Sequence, residues 1–344
     1  MYAESESQEY LNSATDDSHR ASGSLRFQHD FGKLGNITVS AQCTYTNSKT
    51  TYSGTASDAD RLTTLRVGPG VSYSFYSDKF YGMAGVGFTY DRSKMGDVTE
   101  KKTQPWTDLS LQYSFNNKNS VSAEFHFMST TPPLSFRSPA VIQSNPLMSY
   151  TGNPNLTPYK SYDFGVSYQW LPSNKFSLSV FGSGFVATNR YAYIYEASAE
   201  GIVRTVQQPM GDFIQGSYGV NGTARLLNGN LQINGQLAHL IAKSDKPYDW
   251  TKSHLNWYLQ AFYYLDQWHF GVQYQSDMSS ADGVVNGVWA SSKNAYAAIA
   301  GWGNSSWNIQ AQIVNPFRWN WRSGSKEMKS KYYDFVQTSY GPTN

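Results

Sequence analysis

Histidine is the first residue type to question for chemistry. Six occur, at His19, His29, His126, His239, His254 and His269, and none of their spacings is the close one that metal ligands need on a shared turn or helix face. Asp58-Ala59-Asp60 offers two carboxylates to a Ca²⁺ ion, a role that competes with plain solvated loop charge. Gly82, Gly85 and Gly87 sit in an alternating segment, so they read as a close-packed bend in a wall and not as a phosphate cradle. There is no G-x-S-x-G elbow, no P-loop and no G-x-G-x-x-G at a strand-to-helix junction. The reading is therefore of a non-enzyme with no catalytic residue, metal or cofactor. What remains is recognition. Tyr191, Tyr193, Tyr195, Tyr248, Trp250 and Trp289 carry flat faces able to stack on a sugar or chelate ring, and Arg137, Arg190 and Arg204 can meet anions. Rim anchoring and strand packing are the competing roles for all of them.

The elements that must position these groups follow from composition. The chain has 344 residues and a net charge of +2, with 15% charged and 16% aromatic residues, including 26 Tyr. Disordered chains are charge-rich and aromatic-poor, and nucleic-acid binders gather basic residues on a face, so both classes are excluded. No run of about 20 apolar residues exists, which removes helical membrane spans. Cys43 is the sole cysteine, so no internal disulfide can form. Met1 to Ser22 is polar and lacks the pattern of a secretion signal, which leaves a resident of the cell interior or a processed or incomplete form of a longer chain.

Alternation identifies the elements. Ile37, Val39, Ala41, Cys43 and Tyr45 interleave with Asn36, Thr38, Ser40, Gln42 and Thr44. Val121 to Phe127, Tyr162 to Trp170, Leu231 to Leu237 and Trp307 to Ile313 repeat the pattern. Each is a strand with one oily side. About fourteen such strands are expected, most of ten to fifteen residues. Twelve residues rising about 3.3 Å each at a tilt of about 45° span roughly 28 Å, the apolar thickness of a bilayer.

Connections alternate in length. Tight ones fall at Gly32 to Gly35, Ser77 to Lys79, Asn116 to Lys118, Pro172 to Asn174, Asn228 to Asn230, Asp266-Gln267 and Gly303 to Ser305. Long polar ones fall between them, at Asn47 to Asp60, Ser93 to Lys102, Thr131 to Pro158, Asn189 to Gly211, Lys243 to Asp249 and Ser279 to Lys293. Outer-membrane barrels have this asymmetry, with short turns at the periplasmic rim and long loops outside. Tyr73, Tyr76, Tyr113, Phe115, Trp170, Phe176, Tyr263, Trp268 and Trp307 gather beside the tight turns as an interfacial girdle would. The fold expected is all-β, an antiparallel transmembrane β-barrel over residues 23–315, with a polar tail at 1–22 and a basic segment at 316–344 that has no closing strand.

One segment adds a resemblance. Gly152-Asn153-Pro154-Asn155-Leu156-Thr157-Pro158 leads directly into the strand Tyr159 to Trp170, and it resembles the G-N-P-x-L-x-P-E stretch and following strand of TonB-dependent receptors. Tyr159 stands where an acidic residue is usual. The ribbon around Ser198-Ala199-Glu200-Gly201 is similar to the family's long external extension, and Asn315-Pro316-Phe317 resembles a signature of Bacteroides-type barrels. The resemblance implies a barrel of about 22 strands, of which this chain would hold the middle ones. It also implies a plug domain absent from this chain, the energy-transducing partner TonB, outer-membrane lipid around the wall and room for a surface lipoprotein partner. The implied function is uptake of a nutrient, namely a glycan, peptide or metal chelate. A structural or adhesion barrel, or a non-functional fragment, is the alternative.

Overall fold

The computed structural model describes residues 13–53, 58–95, 98–145, 148–198, 201–208, 210–282, 285, 287–317, 322–329 and 334–340. The chain opens with three hairpins: β1 (Ser13–Asp30) and β2 (Asn36–Ser53), β3 (Asp58–Tyr76) and β4 (Phe80–Met95), β5 (Val98–Asn116) and β6 (Asn119–Thr130). Two short strands follow, β7 (Ile142–Asn145) and β8 (Met148–Tyr150), then the long pair β9 (Tyr159–Ser173) and β10 (Phe176–Thr188). A short hairpin, β11 (Ala192–Ser198) and β12 (Gly201–Gln207), precedes β13 (Phe213–Leu226), β14 (Leu231–Ser244), β15 (Trp250–Leu265) and β16 (Trp268–Gln275). The chain continues through β17 (Met278–Asp282), β18 (Val288–Ser292), β19 (Ala295–Gly303), β20 (Asn308–Val314), β21 (Arg322–Lys329) and β22 (Asp334–Tyr340).

Fourteen strands form one antiparallel meander in the order β1-β2-β3-β4-β5-β6-β9-β10-β13-β14-β15-β16-β19-β20. Every interior strand has a hydrogen-bonded neighbour on each side, the arrangement that satisfies backbone groups in hydrocarbon. Among the described residues β1 and β20 each pair on one side only, so the sheet is not closed.

Register carries the alternation of single strands across the whole wall. Ile37 faces Tyr73, Tyr73 faces Ala84, Ala84 faces Leu109, Leu109 faces Phe125, and Phe125 faces Phe164. Further along, Val121, Tyr168, Val180, Val220, Leu237 and Trp257 stand in one cross-strand row. These side chains share one face, and it is the exposed one: Val39 is 48%, Phe164 51% and Val272 61% exposed. In water so extended an apolar surface would cost about 25 cal/mol per Å², so its natural solvent is lipid. The opposite face carries Gln28, Thr38 and Ser72 in one row and Ser122, Ser167 and Asn256 elsewhere. The girdle aromatics Tyr73, Tyr76, Phe115, Trp170 and Trp268 are exposed beside the tight turns.

Three expectations change. The tail is already strand from Ser13, paired with Ser53 of β2. Asn47 to Asp60 and Ser93 to Lys102 are not loops for most of their length, because β2 to β5 run on to Ser53, Asp58, Met95 and Val98. Their outer ends are polar on both faces, which erases the alternation while the hydrogen-bonded ladder continues. The basic segment holds two strands, β21 and β22, which join β17 and β18 in a small sheet. The tip of the ribbon at Ala199-Glu200 and Lys331 of the basic segment lie outside the described residues.

The glycines singled out in β4 divide by face. Gly85 and Gly87 lie under the indole of Trp106, where a Cβ on Gly87 would stand 2.5 Å from Trp106 Cζ2 and 2.5 Å from the Pro69 carbonyl. Gly82, on the apolar face, lies under Phe80. The tight packing expected there is what these residues provide.

Candidate functional site

The long connections converge on one end of the sheet and fold into a packed platform. A second sheet, in the order β11-β12-β8-β7, includes a parallel pairing of β12 with β8. The Gly152 to Pro158 stretch is its keystone. Gly152 N–H donates to Ser138 O at 2.8 Å and Asn153 N–H to Phe136 O at 2.7 Å. A Cβ on Gly152 would stand 2.5 Å from the Ser138 carbonyl, so only glycine fits this approach. Asn153 Oδ1 accepts from Asn155 N–H at 2.9 Å, closing an Asx turn. Leu156 is buried with Tyr191 and Val206, with Phe136, Tyr159 and Tyr193 packed around them. Gln208 clasps Thr157 through its N–H at 2.7 Å and its carbonyl at 2.9 Å, and Asn189 Nδ2 donates to Pro158 O at 3.2 Å. Pro154 and Pro158 flank this knot with fixed φ. The stretch delivers the longest connection into β9 as a bonded junction.

The recognition residues enter this platform in unequal ways. Arg190 is fully buried, and its guanidinium donates to Ser244 Oγ at 3.0 Å, Asp245 O at 2.8 Å and Lys246 O at 3.2 Å beside the ring of Tyr248. Tyr248 donates its hydroxyl toward the Tyr193 and Val285 carbonyls, each at 3.1 Å. Burial pushes the phenols of Tyr191 and Tyr248 well above their ordinary range, so both stay neutral. Tyr195 is buried as well, and Trp289 packs in a cluster with Ala187, Phe213, Leu240 and Ala242. Tyr191, Tyr195, Tyr248, Trp289 and Arg190 therefore act here as internal struts, and their faces are covered by neighbours. Tyr193, Trp250 and Arg204 are only half-buried. Arg204 lies between the rings of Tyr150 and Tyr193, 4.9 and 4.5 Å from their centroids. Trp250 Nε1 donates to Gly287 O at 2.9 Å. Arg137 is buried and pairs with Glu100 at 2.7 Å. Asn315, of the Asn-Pro-Phe motif, is buried and exchanges bonds with the backbone of Tyr296 at 2.8 and 3.0 Å.

A different group stands on the polar face, where alternation placed its members on separate strands and register unites them. Asp108, His126 and Asp163 are consecutive cross-strand partners, and Glu124 lies one step below on β6. With Phe185 and Gln215 they line a recess of about 350 Å³, and His126 Nδ1 is 3.9 Å from Asp108 Oδ1. Alternation along Val121 to Phe127 places Glu124 and His126 on a polar face, and only the pairing of β5, β6 and β9 brings Asp108 and Asp163 to their flanks.

A meander of long strands with an apolar outer face, a polar inner face, aromatic edges and segregated connections defines the wall of an outer-membrane β-barrel. The chain belongs to the outer membrane protein beta-barrel family, whose model matches residues 2–343. It is an outer-membrane protein. No curated protein sequence matches it. Among solved structures it is similar to the copper transporter OprC, with a TM-score of 0.71 and 12% identity over 89% of this chain and 52% of that one. It is also similar to the FrpB iron transporter from Neisseria meningitidis (F5-1 variant), with a TM-score of 0.66 and 11% identity over 95% of this chain and 54% of the other. A mutant ferric enterobactin receptor, PfeA from Pseudomonas aeruginosa, matches with a TM-score of 0.64 and 10% identity over 90% and 50% of the two chains. At these identities the likeness is one of fold, and it meets the resemblance to TonB-dependent receptor barrels drawn from Gly152 to Pro158. The chain spans about half the length of the structures it matches.

Proposed function

We propose that this chain is one arc of a TonB-dependent receptor-like transporter that takes up a glycan, peptide or metal chelate. The arc belongs to a closed barrel of about 22 strands, completed beyond β1 and β20 by further strands, with a plug domain and TonB acting on the whole. The observation that carries this reading is the polar inner wall set beneath a platform of interlocked outer connections, the arrangement of a ligand-gathering mouth above a lumen. Ligand contact falls to the half-exposed rim of that platform, Tyr193, Arg204 and Trp250, while Arg190, Tyr191, Tyr195, Tyr248 and Trp289 hold it rigid. Asn315-Pro316-Phe317 supports the Bacteroides type.

The test is uptake of labelled oligosaccharide, peptide and ferric chelate by cells with and without the intact gene, before and after collapse of the proton-motive force. The proposal expects gene-dependent uptake of one class that stops on uncoupling. A structural or adhesion barrel is the second reading, favoured by the covered faces of Tyr191, Tyr195, Tyr248 and Trp289, and gene-independent uptake would decide for it.

A further inference from the structure

The outer ends of β2 to β5 continue past the apolar band, and their charges are sorted by face. On the lipid-side face of β4 the residues run Val86, Phe88, Tyr90, Arg92 and Lys94, so two cations stand directly above the apolar and aromatic stretch. The same face of β2 runs Cys43, Tyr45, Asn47 and Lys49; that of β3 passes Leu65 and Thr63 to Arg61; that of β5 passes Pro105 and Thr103 to Lys101. All five cations are exposed. Phe80 to Tyr90 is ten steps along β4, which at about 3.3 Å per step and a tilt of about 45° covers roughly 23 Å. Arg92 and Lys101 therefore sit at the head-group level of the outer leaflet.

Register makes these cations neighbours. Lys49 faces Arg61 directly, Arg92 faces Lys101 directly, and Lys94 faces Thr63, diagonal to Arg61. Like charges placed opposite each other on a sheet repel. Of the described carboxylates nearby, Asp17 shares this face, opposite Lys49, and the others lie on the opposite one: Asp91 accepts from Arg66 Nε and Gln104 Nε2, each at 2.7 Å, and Glu100 pairs with Arg137 and Lys102 at 2.7 and 3.2 Å. Among the described residues none of the five cations forms an ion pair. Arg61 Nε donates to Asn47 Oδ1 at 3.0 Å, and Asp17, opposite Lys49, stands 3.6 Å from His19.

We infer that Lys49, Arg61, Arg92, Lys94 and Lys101 form a binding site for the phosphate groups of a multiply phosphorylated lipid in the outer leaflet. Several phosphates on one head group would neutralise both like-charged pairs at once, while the acyl chains lie along Val86, Phe88 and Tyr45. Arg61 and Arg92 supply forked donors suited to phosphate oxygens, and the lysines supply point charges. The inference rests on the membrane orientation and not on the transported ligand, so failure of the uptake experiment leaves it intact.

The test uses the full chain in neutral detergent with a bis-phosphorylated disaccharide lipid, its dephosphorylated counterpart and inorganic phosphate as separate probes, with bound lipid counted by native mass spectrometry. The bis-phosphorylated lipid is expected to bind more than about tenfold better than the dephosphorylated one, and to weaken as salt rises. Replacing all five cations by glutamine should abolish that preference, while K118Q/K175Q at the opposite rim should keep it, with unchanged heat-modifiable gel migration as the check of folding. Inorganic phosphate displacing the lipid at equal phosphate concentration would assign the same cations to free anion. Equal binding of the two lipids by the unmodified chain would overturn the site, and needs no variant.

Discussion

Gly87 of β4 and Trp106 of β5 are direct cross-strand partners, and the indole lies flat where a Gly87 side chain would be. Gly70, on β3, is covered by the same ring, with a would-be Cβ 2.4 Å from Trp106 Cζ2. One tryptophan thus fills a shallow trough across three strands on the polar face, and this smooth stretch of wall depends on residues with no side chain. Gly87→Val is expected to destabilise the sheet by about 2 kcal/mol through overpacking. Gly68→Ala, whose new methyl meets nothing closer than 3.7 Å, should be near neutral. Urea midpoints of the refolded chain read both, and equal midpoints would contradict the packing.

The junction at Gly152 gives a second prediction. Gly152→Ala brings a methyl against the Ser138 and Phe136 carbonyls, at 2.5 and 2.7 Å if nothing shifts. The strain falls on the platform and not on the lipid-facing wall. Protease digestion should cut the Thr131 to Pro158 connection faster in the variant while gel migration of the unboiled barrel stays as in the parent.

Arg190 gives a third. Its guanidinium satisfies two backbone carbonyls and a hydroxyl in a fully buried position. Arg190→Met keeps the bulk and strands those acceptors, an expected loss of about 2 kcal/mol. Hydrogen exchange at 244–250 should quicken, with the middle of β14 and β15 unaffected.

Acid should loosen a different corner. Asp277 lies between β16 and β17, where it accepts from Lys293 Nζ at 2.8 Å and Asn294 N–H at 2.7 Å. The bond from Lys293 is the main cause holding its carboxyl below the ordinary range. A carboxyl whose folded value is depressed contributes stability above its unfolded value, and that contribution is lost as pH falls through the folded one. Proteolysis near 276–294 should therefore rise as pH drops below about 4, and Asp277→Asn should flatten that dependence.

Much of this architecture was legible in the sequence because the wall is local. Alternation in Ile37 to Tyr45 and Tyr162 to Trp170 set faces, and turn residues such as Asp266, at φ 51°, and Asn228, at φ 57°, marked the tight end. The platform is not local. β8 pairs with β12 across more than fifty residues, Met148 with Ile202, and nothing in either segment announces it. The same non-locality hid the outcome for the candidate site. A tyrosine or arginine in a polar connection looks alike whether it faces a ligand or braces a fold, and Arg190, Tyr191 and Tyr248 brace. The acidic recess of Asp108, Glu124 and Asp163 needed the register of three strands before it became visible.

The exposed apolar face meets lipid, and the sole cysteine reports on it. Cys43 lies on that face of β2 between Ala41 and Tyr45, exposed and unpaired. A fluorophore attached to Cys43 of the otherwise unchanged chain in bilayers should be quenched by brominated acyl chains and shielded from aqueous iodide. Quenching by iodide with no effect of brominated lipid would place that face in water.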